Sequence, residues 1–285
     1  IPPKNILSGE DIYNEGGITA YMAGLYSQLP MEDFNMSNDG SYNGFYNWNC
    51  IIWDMLSTGE TVNRNNTGIY IPQKGYWSMG YKTIRQANDL IANLPAYVGK
   101  LKGAESWIAE AKFIRAYVYF AMVKRYGGVP ILETPQEMTD DEKALWVARS
   151  SHEECIDFIL SDLDYAIENL GKTKVAGRAN NTYVAAAFKS RVALYAGSVA
   201  RYGQIFNYSG SESGKMLTGI PEGRANDYFM QAYKASKIVE EGGYKLYEGN
   251  SDKEANFREI FANADKSDES ILIRQYSKND FVHSF

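Results

Sequence analysis

The stretch "EAKFIRAYVYFAMVKRYGGVPIL", residues 110–132, decides the fold of this chain. At the helical period, Ile108, Ala111, Ala116, Tyr119, Met122, Val123 and Tyr126 make one apolar face. Phe113, Tyr117, Phe120 and Ala121 make a second. A helix that is apolar on two sides needs neighbours on both, so it belongs inside an array of helices. Gly127-Gly128 stops it and Val129-Pro130 leads the chain out.

Working outward, the flanking segments supply those neighbours. Residues 151–170 carry Ile156, Ile159, Leu160, Leu163, Ile167 and Leu170 on one stripe. They open on a capping box in which Ser151 and Glu154 satisfy free amides of the first turn. Residues 180–201 place Phe188, Val192, Tyr195 and Val199 on one side, with small Ala185, Ala193, Ala196 and Ala200 allowing close approach. A further helix is expected at about 225–241, after a disordered-looking insert, "NYSGSESGKMLTGIPEGR". Upstream, Trp77, Tyr81, Ile84, Asn88 and Ile91 mark a helix over 74–94. Ile18, Met22, Leu25 and Leu29 mark another over 9–29, bent or broken at Gly16-Gly17.

The helices pair antiparallel, 105–126 with 151–170 and 180–201 with 225–241. That is the layout of tetratricopeptide-like stacks, although the full repeat signature is absent and the linkers are long. The expected fold class is therefore mostly α, a tetratricopeptide-like helical repeat array with long irregular loops. "ESILIRQY", residues 269–276, adds a minor β element. The array is read as one domain over 1–285, incomplete at its C-terminal end.

Composition narrows the function classes. Net charge is −6 and no basic stripe interrupts the scattered lysines and arginines, which argues against a nucleic-acid surface. No apolar run is long enough to span a bilayer. Cys50 and Cys155 stand in no CxxC or Cys/His cluster, so both are expected to be free and no metal site is expected. The 22 tyrosines are the unusual feature. Tyrosine and tryptophan offer a flat apolar face with a polar edge, which suits sugar rings and interfaces as well as cores.

Aromatic and polar residues concentrate at 35–73, "FNMSNDGSYNGFYNWNCIIWDMLSTGETVNRNNTGIYIP", where Asp39-Gly40 and Asn43-Gly44 signal turns. A long irregular segment inside a helical array is more often functional than idle. Sugar binding without catalysis needs aromatic faces plus side chains that hydrogen-bond hydroxyls. Trp48, Trp53 and Tyr70 supply the first, and Glu60, Arg64 and Asn65 the second. Phe281, with Tyr276, follows the expected strand and is a further candidate for the same surface.

Catalytic groups are not in evidence. His152 stands at a helix start and His283 near the end of the sequence; no GxSxG or phosphate loop occurs. Acidic runs such as Asp140-Asp141-Glu142 precede helices, where negative charge suits the helix dipole. "DKSDES", 265–270, lacks the glycine and terminal glutamate of a calcium loop.

Four segments, in order, resemble the SusD/RagB family of outer-membrane nutrient-binding lipoproteins. "YWSMGYKTIRQANDLI" (76–91) is similar to its Trp-x3-Tyr-x2-Ile-x2-Ala-Asn pattern. Residues 110–132 resemble its Arg-Ala-Tyr-x-Tyr-Phe helix and Tyr-Gly-x-Val-Pro exit. "ARSSHEECIDFILSDLDYAIENL" (148–170) and "GRANNTYVAAAFKSRVALYAG" (177–197) resemble the two helices that follow. The resemblance implies a non-catalytic, cofactor-free protein of the outer-membrane surface. It would be held by a lipid on a cysteine preceding Ile1, capture oligosaccharide or polysaccharide, and pass it to a SusC-like TonB-dependent transporter. In the family, a segment similar to 53–64 carries an acidic residue and a following arginine near the ligand; Glu60 and Arg64 match, while Gly59 replaces an aspartate. Capture of a peptide or other nutrient, or a helical-repeat scaffold for proteins, is the alternative, and a surface glycoside hydrolase ranks last.

Overall fold

The computed structural model describes residues 12–29, 76–136, 142–175, 178–203, 214–262 and 267–273. Seven α-helices run through them: α1 Glu15–Ser27, α2 Trp77–Asn93, α3 Ala104–Tyr126, α4 His152–Asn169, α5 Thr182–Tyr202, α6 Ala225–Glu240 and α7 Lys253–Ala262. The fold is the expected helical repeat array.

Helix α3 is central, as its two apolar faces require. Phe113, Ile114, Val118, Tyr119 and Met122 are all fully buried. One face meets α2, where a Cβ on Gly80 would collide with the Met122 side chain. The other faces α4 and α5, where Phe188 stacks on Tyr117 with ring centroids 4.6 Å apart and takes Phe113 and Phe120 at 5.6 Å. Contacts between ends fix the directions. Tyr76, at the start of α2, donates to the Tyr126 hydroxyl at the end of α3. Tyr119 and Arg115 of α3 meet Phe158 and Asp162 of α4 in reversed order. Thr182, at the start of α5, donates to the Ile167 carbonyl near the end of α4. The start of α6 then lies by the end of α5, where Arg201 meets Asn226. Helices α2 to α6 therefore run alternately up and down.

Both glycines after α3 are required by close backbone approach. A Cβ on Gly127 would meet the Leu217 carbonyl, and one on Gly128 the Ser150 carbonyl. Gly127 also has φ 69°, a left-handed conformation that glycine adopts at no steric cost. The segment that approaches is part of the insert expected to be disordered. From Gly214 onward it is packed: Leu217 and Ile220 are buried, Gly128 N–H donates to the Leu217 carbonyl, and His152 N–H to that of Met216. Its two apolar side chains are too few for a periodicity signal, but they fill the gap at the α3–α4 turn.

Other boundaries shift for local reasons. Helix α1 begins at Glu15, because Asn14 accepts from the N–H groups of Gly16 and Gly17. The break thus precedes the glycine pair and does not fall on it. Ser151 and Glu154 form the expected capping box. At α5 the cap is Asn181, accepting from Tyr183 and Val184 N–H. Residues 269–273, expected as strand, are turn and bend; the backbone there is satisfied by side chains, with Lys174 donating to the Ser270 carbonyl and Ser267 accepting from Glu269 N–H. A single bridge, Gly171 to Asn181, is the β-type pairing among the described residues. Helix α7 has no counterpart among the elements expected from the sequence. No described helix is long and apolar enough to cross a membrane.

Candidate functional site

The residues that the sequence puts forward for ligand binding, Trp48, Trp53, Glu60, Arg64, Asn65, Tyr70 and Phe281, lie outside the described residues, as do Cys50, Tyr276 and all of 35–73. What the structure places is the frame on either side of that segment. Tyr21 of α1 donates to the Gln86 carbonyl, and Gln28 accepts from Thr83. Helix α1 therefore runs antiparallel to α2, and Leu29 and Tyr76 lie at the same end of the pair.

From that end, along α2 as far as Asn88, the described surface holds a groove of about 690 Å³ between α2 and the chain that leaves α3, within the usual range for small-molecule sites. Its α2 wall is Trp77, Tyr81, Lys82 and Arg85; its far wall includes Gln136 and Trp146. The walls are tied together. Arg85 donates to the Gln136 carbonyl, and Gln136 Nε2 donates to the Leu145 carbonyl at 3.3 Å, on the short 3₁₀ turn Glu142–Leu145 just before Trp146. Tyr81 donates to the Pro130 carbonyl at 2.7 Å. Trp77 is braced edge-on by Tyr126, centroids 5.3 Å apart, and tilted against Tyr81 at 5.2 Å. Even so it keeps 39% of its surface in solvent, and Trp146 keeps 74%. Exposed tryptophans that share one concavity are the arrangement that receives flat, weakly apolar ligands. Burial pushes the Tyr81 hydroxyl far above the usual phenol range, so it acts as a neutral donor to Pro130.

The family "Starch-binding associating with outer membrane", a SusD-like family, matches residues 4–194. The chain belongs to this SusD-like family. It is 32% identical over 110 residues to a SusD-like protein of Bacteroides ovatus, covering 38% of this chain and 20% of that one. In structure it is similar to a SusD-like protein of Bacteroides fragilis, with TM-score 0.64, 24% identity, and coverage of 98% of this chain and 48% of that one. A SusD-like carbohydrate binding protein of the same species aligns with TM-score 0.61 and 18% identity, over 94% of this chain and 47% of that one. The chain thus spans about half the length of the solved SusD-like chains it matches.

The residues that carry the SusD-like resemblance turn out to be the fold's buried polar fasteners. Arg115 holds Asp162 through two hydrogen bonds of 2.7 and 2.8 Å and also donates to Asn88 and to the Glu133 carbonyl. One side chain thereby joins α2, α3, α4 and the α3 exit. Arg178, from the Gly-Arg motif before α5, pairs with Glu110 and lies over the Trp107 ring, 4.2 Å from its centroid. Burial raises the Glu110 carboxyl above its usual range, and the Arg178 and Tyr26 hydrogen bonds oppose that rise. Tyr26 closes the cluster, donating to Glu110 at 2.6 Å and accepting from Ala179 N–H. Arg149 donates to the Gly128 and Tyr126 carbonyls and so holds the end of α3.

Two reactive side-chain types are similarly occupied with packing. Burial raises the Cys155 thiol to about 11, and its sulfur both donates to and accepts from the Val129 backbone at 3.3 Å. Burial lowers the His152 imidazole to about 4, and neither ring nitrogen has a hydrogen-bond partner among the described residues. No group of His, Cys, Asp and Glu among the described residues is arranged to hold a metal ion.

Sequence reasoning missed Trp146 and the Lys82–Arg85 edge. Trp77 and Tyr81 fall on the α2 packing stripe in sequence, although Trp77 faces the groove. The signal available for Trp146 was its setting in "DDEKALWVARS", a polar stretch with no periodicity to bury it. Lys82 and Arg85 fall off the α2 apolar stripe, which is what any solvated helix face shows.

Proposed function

We propose that this chain is part of a non-catalytic, cell-surface carbohydrate-binding protein. It captures oligosaccharide or polysaccharide and passes it to a SusC-like TonB-dependent transporter of the outer membrane, while held there by a lipid anchor. The observation that carries this reading is the family match over 4–194, a family described by starch binding and outer-membrane association. Carbohydrate is also what one structural neighbour is described as binding. The chemistry of the described residues is consistent with capture. The buried histidine is held neutral, the buried thiol protonated, and the strongest charged pairs fasten helices together.

In this reading the 35–73 segment forms the ligand surface. Trp48, Trp53 and Tyr70 stack on sugar rings, and Glu60, Arg64 and Asn65 bond hydroxyls. Phe281 joins the same surface. Calorimetric titration of the intact protein against a panel of neutral and acidic oligosaccharides tests this. Binding of at least one glycan, weakened about tenfold or more by Trp48→Ala and by Arg64→Ala, is expected, since an aromatic or charged anchor typically contributes more than about 1.4 kcal/mol. Binding of peptides with no glycan bound would instead support the nutrient-peptide alternative, and binding of neither would leave the protein-scaffold reading.

A further inference from the structure

Among the described residues, the groove beside Trp77 has a charge character at odds with the chain as a whole. Across 285 residues the formal net charge is −6. Yet among the described residues the groove is lined by two cations, Lys82 and Arg85, and by no carboxylate; the neighbouring acid, Glu133, is not among those lining residues. Both cations stand on α2, one turn apart, on the same wall as Trp77 and Tyr81. Across the gap stands Trp146, exposed over most of its surface. The Gln136 carbonyl takes one Nη of Arg85 and so fixes the guanidinium at the groove wall. That leaves the Nε–Nη2 edge in the planar geometry that receives a carboxylate or sulfate with two parallel hydrogen bonds.

We propose that this groove is a glycan subsite, separate from the 35–73 surface, that takes an acidic sugar, with a uronate or sulfate group on Arg85 and Lys82 and the ring against Trp146 and Trp77. The proposal rests on the carbohydrate reading above and adds to it both a second site and a ligand class. The occupant follows from the charge pattern. A neutral glycan would offer Lys82 and the Nε–Nη2 edge of Arg85 only uncharged hydroxyl oxygens, weaker partners than an anionic oxygen pair, and an acidic peptide would make little use of two tryptophan faces set in one concavity. A uronate or sulfated sugar engages both features at once. The bond from Gln136 to the Leu145 carbonyl holds the backbone that carries Trp146, which limits the ordering required on binding.

The test is calorimetric titration of the intact protein with hexagalacturonate and with maltohexaose, at low and at raised salt. Trp146→Ala and Lys82→Gln serve as variants, since both side chains are exposed and outside the core. The expectation is that hexagalacturonate binds more tightly than maltohexaose and loses about tenfold or more in affinity at raised salt, because charge contacts at an exposed site are screened. Each variant should also lose about tenfold, while Trp48→Ala leaves this binding unchanged. Equal affinity for the two hexamers, or acidic binding indifferent to both groove variants, overturns the groove proposal. If hexagalacturonate binding is instead lost on Trp48→Ala, the groove proposal fails and the 35–73 surface stands. If hexagalacturonate binds through Trp146 and no glycan responds to Trp48→Ala or Arg64→Ala, the groove stands and the 35–73 assignment fails. Absence of binding to either hexamer overturns the groove proposal, and silence across the wider panel overturns the carbohydrate reading with it.

Discussion

His152 shows how a residue that looks chemical can be structural. It opens α4 with its ring buried against Tyr195, centroids 6.2 Å apart, and burial lowers its pKa to about 4 from an unperturbed 6.5. The folded state therefore binds fewer protons than the unfolded state between these values. Stability contributed by the neutral ring is full above about pH 6.5 and is lost as pH falls towards 4. Each tenfold weakening of proton binding corresponds to about 1.4 kcal/mol, so the loss is on the order of 3 kcal/mol. A His152→Phe variant keeps a ring in place and removes the titration. Urea unfolding at pH 7 and pH 4.5 should show a smaller acid-induced fall in stability for the variant than for the parent; an equal fall would contradict the assignment. The sequence identified this histidine as an unpromising base from its place at a helix start. It carried no sign that the ring was buried, because the ring's neighbour Tyr195 and the Met216 carbonyl on its backbone N–H are both distant in sequence.

Among the elements, legibility followed periodicity. Helices α2 to α6 were readable to within three residues at each end, because apolar periodicity marks them over several turns. What failed was what periodicity does not encode. The segment after Gly214 packs through Leu217 and Ile220 alone, and its backbone bonds to Gly128 and His152 replace the helix signal. The expected strand at 269–276 had β-branched residues but no partner strand to pair with among the described residues. The fasteners between elements were half legible. Arg115 stands in the Arg-Ala-Tyr-x-Tyr-Phe motif of the family, but its reach to Asn88, Glu133 and Asp162 is a three-dimensional fact. Arg115→Met would leave Asp162 buried with only Lys112 as its cation, 3.0 Å away and partly exposed. A loss of about 3 kcal/mol in unfolding free energy is expected, near the lower end for breaking a buried pair. The double variant Arg115→Met/Asp162→Leu should recover much of it. Chemical denaturation of the three proteins measures this, and a single variant as stable as the parent would contradict the fastening role.

At the scale of the whole molecule, the family could be read from four packing motifs while the proposed groove could not. Packing motifs are local in sequence and dictated by burial, so they survive as patterns. A binding surface gathers exposed residues from separate segments, and exposure leaves no periodic mark. Trp77 and Trp146 illustrate this, since 69 positions separate two side chains that line one groove. Affinity electrophoresis of the intact protein through gels containing single polysaccharides, paired with an assay for released reducing ends, separates capture from cleavage. A capture protein migrates with retardation in at least one polysaccharide and releases no reducing ends on prolonged incubation. Unretarded migration in every polysaccharide, or steady release of reducing ends, would contradict the capture reading.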